Sequence, residues 1–271
     1  VSARHPVEPY GLFGWPSGAV VASGAFAPTC FSVDGPDSGA GEEYLMLTTG
    51  GDWNPKQKEL KALLSKKADF REAIGVCLEL HALAHDSRIS SVKESFFDDL
   101  VAGLNADGFR YRPEGRFASI AWNLWHIARI EDAVVNILIA DGAQVLDRAW
   151  IAKIGTPITD TGNAMKSLDV DGFGEKVNMK GLLDYRRAVG KRTRDVLAHL
   201  GPDDLRRKAD ASRLSRLLPE GVLLDDPESI WLADFWGKKT VSGLLTMPVT
   251  RHQIVHINDC LDLKARYAAG R

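Results

Sequence analysis

Cysteine is scarce in this chain. Cys30, Cys77 and Cys260 are the only three among 271 residues, and no two form a CxxC pair. A disulfide framework needs more, so a reducing, cytoplasmic setting is the expectation. Long apolar runs are also missing: the longest, Ala133 to Ala140, is far short of the roughly 20 residues of a membrane span. Residues 17–30 are weakly apolar, but Gly and Pro interrupt them and no basic region precedes them, so they are not read as a secretory leader. Neither charge dominates, since Lys+Arg 34 against Asp+Glu 36 leaves a formal net charge of -2. A nucleic-acid partner, which requires a basic face, is therefore not expected. The arginine-rich piece Leu205 to Leu217 is the one local exception, and it reads as a solvated helix face.

Familiar catalytic signatures are absent as well. The sequence holds no HExxH, no GxSxG, no P-loop and no GxGxxG placed between a strand and a helix. Without ExxH, a di-iron carboxylate bundle has no support. Sustained apolar/polar alternation and hairpin turn pairs are missing too, which excludes a β-rich fold.

What is present is helical periodicity. Residues 55–88 put Leu60, Leu63, Leu64, Phe70, Ile74, Cys77, Leu78 and His81 on one side at i, i+3, i+4 spacing, behind a start signal of Asn54 as N-cap and Pro55. Residues 118–140 begin at a Ser119 cap and stop before Asp141-Gly142. Residues 180–200 end at Gly201-Pro202, and residues 240–268 form a fourth segment that Pro248 either kinks or starts. Four such segments make an all-α, antiparallel four-helix bundle the economical architecture for residues 53–271. Residues 1–52 are rich in Gly and Pro and poor in charge, and read as an irregular N-terminal extension. The aromatic cluster Trp231 to Trp236 reads as core or as a cap on the bundle, with Trp236 at a pocket rim as the alternative.

Histidines carry the chemistry. His81/His85 and His252/His256 are each spaced i, i+4, so each pair shares one helix face and can reach one ion. Chance also produces such pairs, and a buried histidine bonded to a carbonyl or to water is the bland alternative. His252 and His256 fall beside the apolar stripe of the last helix, while His126 sits among Trp122, Leu124, Trp125 and Ile127. His81 is in phase with the buried stripe of the first helix. For this pair the alternatives are a pocket-lining general base, catalytic in role, and satisfied histidines near a helix C-terminus. Glu131, Asp132 and Asp259 are the carboxylates near enough in sequence to orient ligands.

The segments SIAWNLWHIARIED (Ser119 to Asp132) and TVSGLLTMPVTRHQIVHINDCLDLK (Thr240 to Lys264) resemble the DinB/YfiT-like superfamily of metal-binding four-helix bundles. That resemblance covers about residues 54–268 in helix order and spacing. It implies a divalent metal, zinc or nickel, held by His126, His252 and His256, with an open coordination position. It further implies thiol S-transfer with a low-molecular-weight thiol co-substrate, or related hydrolase or isomerase chemistry on a small molecule, and a homodimer. The competing expectation is a non-catalytic, stress-linked binding protein whose metal is structural.

Overall fold

The structure is a computed structural model and describes residues 47–270. Most of the extension expected over 1–52, with Cys30, lies outside the described residues. A π-helical turn, Thr49–Trp53, opens them and runs into α1, Asn54–Leu63. The Thr48 hydroxyl caps this start by accepting from Gly51 N at 3.0 Å. Asn54 is therefore the first residue of α1 with a helical φ of -59°, not the expected cap.

The first periodic segment is two helices rather than one, because α1 stops at Leu63 and α2 covers Phe70–Ala84. Ser65 supplies the reason: its hydroxyl turns back to donate to Ala62 O at 2.6 Å and competes with the next helical turn. Two short helices follow, α3 (Phe96–Val101) and α4 (Ala106–Arg110), capped by Ser95 and Asn105.

Next comes α5, Ile120–Asp132, with a π-helical continuation, Ala133–Ile139. Every residue from Ser119 to Ile139 is buried, the polar Asn123, His126, Arg129, Glu131, Asp132 and Asn136 included, so this helix is enclosed on all sides. The Ser119 cap is present, its hydroxyl accepting from Trp122 N at 3.2 Å. The helix stops where expected, with Asp141 at a φ of 54° and Gly142 N donating to Asn136 O at 2.7 Å. After α6 (Arg148–Ile154) and α7 (Ser167–Lys176) comes α8, Met179–Ala198. The remainder is α9 (Ala211–Ser215), α10 (Pro227–Gly237), α11 (Val241–Leu244), a π-helical turn Leu245–Arg251, and α12 (His252–Ala269). Pro248 lies inside that π-turn, where the widened backbone accommodates a residue with no N–H.

The fold is helical. Among the described residues there is no strand, only an isolated bridge between Lys208 and Thr240. Among them, too, no helix is long and apolar enough to cross a membrane. Side-chain bonds give the register of the bundle. Arg194 donates to Leu78 O and Arg186 to Ala84 O, so α2 and α8 run antiparallel. His256 meets Asn123 and Gln253 meets Ile127 O, so α12 runs antiparallel to α5. Between α5 and α8 the pairs Asp132–Tyr185 and Asn136–Arg192 rise together, a relation that the long 140–178 connection permits.

The arginine-rich piece differs from expectation. Arg207 and Arg213 donate to Ile139 O at 2.8 and 3.1 Å, and Arg216 donates to Gly142 O at 2.8 Å. These cations meet the unsatisfied carbonyls at the end of the central helix rather than forming a merely solvated face. In α10, Trp236 is buried, whereas Trp231 is partly exposed.

Candidate metal centre

Helix α5 is fixed against the loop 159–162 by four side chains that use one face of the helix. Arg129 Nε donates to Thr159 O at 2.7 Å, Trp125 Nε1 to Asp160 O at 2.9 Å and Trp122 Nε1 to Gly162 O at 3.3 Å. The fourth is His126, whose Nδ1 meets Thr161 O at 2.8 Å. Gly162 permits the close approach. Its φ is 77°, and a Cβ there would lie 3.0 Å from the Trp122 indole nitrogen. A carbonyl only accepts, so His126 Nδ1 carries the hydrogen and Nε2 is left as a bare lone pair.

His252 and His256 come from the first two turns of α12, facing His126. His256 Nδ1 lies 2.6 Å from Asn123 Oδ1, while Asn123 Nδ2 donates to Ser119 O at 3.1 Å. Because the Asn123 amide nitrogen serves Ser119, its oxygen faces His256, so His256 Nδ1 donates and its Nε2 is also bare. His252 Nδ1 is buried and has no hydrogen-bond partner among the described residues.

Ligand-capable atoms of His126, His252 and His256 all lie within 4.8 Å of one another. Their ring centres are 4.5, 4.9 and 5.0 Å apart, and the rings tilt against each other by 59–68°. An ion about 2.1 Å from each nitrogen sits about 3.2 Å from each ring centre, and ligand angles of about 90–105° then separate the centres by about 4.5–5.1 Å. The observed spacing fits that arrangement. Burial pushes His126 down to about 4, offset in part by its bond to Thr161, and it pushes His252 and His256 well below the ordinary histidine range. All three are thus neutral at pH 7, the form that binds metals. Trp122 stacks on His126 at 4.6 Å and 11°, and the partly exposed Phe117 packs edge-on against Trp122.

The other pair is built differently. His81 and His85 are fully buried at the end of α2, and their rings stack at 4.1 Å and 17°. Each Nε2 donates to a separate oxygen of Glu131, at 3.0 and 2.9 Å, and the Thr193 hydroxyl donates to the same carboxylate at 2.7 Å. On the far side of His85 the chain needs Gly190, because a Cβ there would meet Nδ1 at 2.6 Å. Atoms of His81, His85 and Glu131 also lie within 4.8 Å of one another. Stacked rings, however, send their lone pairs out in parallel, so the two imidazoles do not converge on a point as the first three do. Burial alone would raise the Glu131 pKa, but the histidine contacts outweigh it and hold the carboxyl well below its usual range. Burial pushes His85 down to about 3.

The carboxylates expected to orient the ligands serve elsewhere. Glu131 belongs to the second cluster. Asp132 is engaged by Arg129, Tyr185, Asn136 and the backbone of Val145 and Leu146, and Asp259 is exposed. The atoms that orient His126 and His256 are a loop carbonyl, at Thr161, and a neutral amide, at Asn123. Sequence patterning singled out neither, although Asn123 stands three residues from His126 on the same helix. Cys77 and Cys260 are buried thiols, and burial raises both, Cys77 to about 12, so neither is a ready nucleophile.

The fold is a helical bundle in which three imidazoles from two helices come together in a group that could hold a metal ion. The sequence supplies the family: a model of the DinB superfamily matches residues 95–259, more than half of the chain, and the chain belongs to that superfamily. The match includes His126, His252 and His256 and begins after His81 and His85. No curated protein matches the chain.

Proposed function

We propose that this protein is a metal-dependent enzyme whose ion, zinc or nickel, is held by His126, His252 and His256. The observation that carries the reading is the ring geometry, three neutral imidazoles spaced and tilted as around a single ion. Such an ion is a Lewis acid that favours the anionic form of a thiol or water bound to it. The favoured chemistry is thiol S-transfer with a low-molecular-weight thiol, or a related hydrolysis or isomerisation.

Each part of the chain has a task in this scheme. The Thr161 carbonyl and the Asn123 amide keep His126 and His256 in the tautomer that offers Nε2. Trp122 and Phe117 give the group an apolar flank that limits water and suits a substrate with an apolar part. His81 and His85, candidates for proton transfer by sequence, are assigned to holding Glu131, because both Nε2 atoms are committed to it.

The test compares metal-free protein with protein reconstituted with zinc or nickel, following consumption of a small thiol in the presence of an electrophile. Thiol consumption that requires the ion and is lost in His126→Ala supports the enzyme. Metal uptake that raises the melting temperature without any turnover favours the structural-metal alternative.

A further inference from the structure

His126 owes its orientation to the loop 159–162, and that loop needs a support of its own. The carbonyls of Thr159 to Gly162 all accept from side chains of α5, Thr161 from His126 itself. Among the described residues, one backbone hydrogen bond ties this loop to another segment, from Thr161 N to Val222 O at 3.1 Å. The residue that holds His126 on one side is thus held by Val222 on the other.

The placement of Val222 turns on Gly221. After α9 the chain closes in a Schellman motif, with Val222 N donating to Leu217 O at 2.9 Å and Gly221 N to Leu218 O at 3.0 Å. Such a motif takes a left-handed residue next to its end, and Gly221 has a φ of 70°. The loop also passes close by, since a Cβ at Gly221 would meet Thr159 Oγ1 at 2.8 Å. Both chain neighbours of Gly221 are fastened to the framework around His126. Gln144 donates to Glu220 O at 3.2 Å and accepts from Arg129, whose Nε donates to Thr159 O. Val222, fully buried, meets Thr161. A changed φ at Gly221 turns these two carbonyls relative to each other, so both bonds cannot be kept.

We propose that Gly221 is a positioning residue of the metal centre: its left-handed backbone seats Val222 O on Thr161 N, and the Thr161 carbonyl thereby holds His126 with Nε2 bare. The proposal rests on the reading that the three histidines hold an ion, but the tautomer of His126 reports on it without one. Gly103 supplies a matched comparison, in the turn between α3 and α4, with a φ of 67° and open space where a Cβ would go. A β-branched side chain strains the two left-handed backbones alike. Only at Gly221 does the strain reach His126.

Gly221→Val and Gly103→Val are compared by zinc affinity, from competition with a chelator, and by the ring-nitrogen NMR signals of His126 in metal-free protein, assigned with His126→Ala. The melting temperature is expected to fall in both. In Gly221→Val zinc affinity is expected to drop about 10–100-fold, and His126 to lose the Nδ1–H form as its single tautomer. In Gly103→Val zinc affinity is expected within about threefold of wild type, with the tautomer unchanged. Equal losses of zinc affinity in the two variants, or a His126 tautomer unmoved in Gly221→Val, overturn the proposal. Should Gly221→Val fail to fold, Gly221→Ala against Gly103→Ala decides on the same two readouts. Wild-type protein that takes up no zinc overturns the metal-centre reading, and the tautomer comparison then decides the role of Gly221 by itself.

Discussion

At the end of α2 two imidazoles lie face to face, 17° from parallel, whereas at the start of α12 two imidazoles of the same i, i+4 spacing stand at 68°. The spacing brings two rings together in both places, and what lies opposite decides what they do. Opposite α2 is the Glu131 carboxylate, which has two oxygens and takes one N–H on each, so the rings align side by side. Opposite α12 is a third imidazole, held by the Thr161 carbonyl so that its free nitrogen faces inward. One cluster turns two N–H groups onto a shared carboxylate and leaves its two Nδ1 atoms buried without a partner among the described residues. The other gathers three rings whose ligand atoms lie close together, with His252 Nδ1 likewise unpartnered among the described residues.

The largest effect that separates the two is expected from Glu131→Ala. It removes the acceptor of two buried N–H groups and one hydroxyl. Breaking a buried charged network in this way costs about 3–5 kcal/mol, which urea unfolding of the metal-free protein would measure. A loss below about 1 kcal/mol would mean that Glu131 does not hold His81, His85 and Thr193 as described.

A pH experiment sharpens the contrast further. His85 falls to about 3 in the folded protein, chiefly through burial, so between about 6.5 and 3 the unfolded chain binds a proton that the folded chain refuses. Its contribution to stability is complete above about pH 6.5 and declines as the pH falls through that window. At pH 5 one such histidine costs about 2 kcal/mol. His85→Asn should therefore reduce by about that amount the loss of unfolding free energy between pH 7 and pH 5. An unchanged slope would show that His85 is not buried as the neutral ring.

At the other cluster a milder change is expected. Asn123→Ala frees the His256 ring without removing a ligand. Loss of such an orienting bond weakens metal affinity by about 10–100-fold, which competition with a chelator would measure. The same substitution should leave the His81–Glu131 cluster intact. Equal affinity in wild type and Asn123→Ala would remove Asn123 from the site.

Much of this architecture was legible in the residues. The Ser119 cap and the stop at Asp141-Gly142 follow from local chemistry that tertiary contacts do not override, whereas α8 ends at Ala198, before Gly201, which is not left-handed. The spacing of His252 and His256 is likewise local. The break at Ser65 was hidden because a serine turning back on its own helix leaves no mark on the apolar period. The roles of Arg207, Arg213 and Arg216 were hidden for a related reason, since the carbonyls they meet belong to a helix end some 70 residues away. Within the site, side-chain type and spacing found the histidines but could not distinguish a splayed pair from a stacked one. That difference depends on Glu131, Thr161 and Asn123, which meet the rings only once the helices have packed.

The central claim is that only the splayed cluster holds an ion. Elemental mass spectrometry on wild type, on His81→Ala/His85→Ala and on His252→Ala/His256→Ala, each folded by circular dichroism, tests it most directly. The account predicts about one equivalent of a divalent transition metal in the first two and none in the third. Metal that stays in His252→Ala/His256→Ala and disappears from His81→Ala/His85→Ala would contradict it.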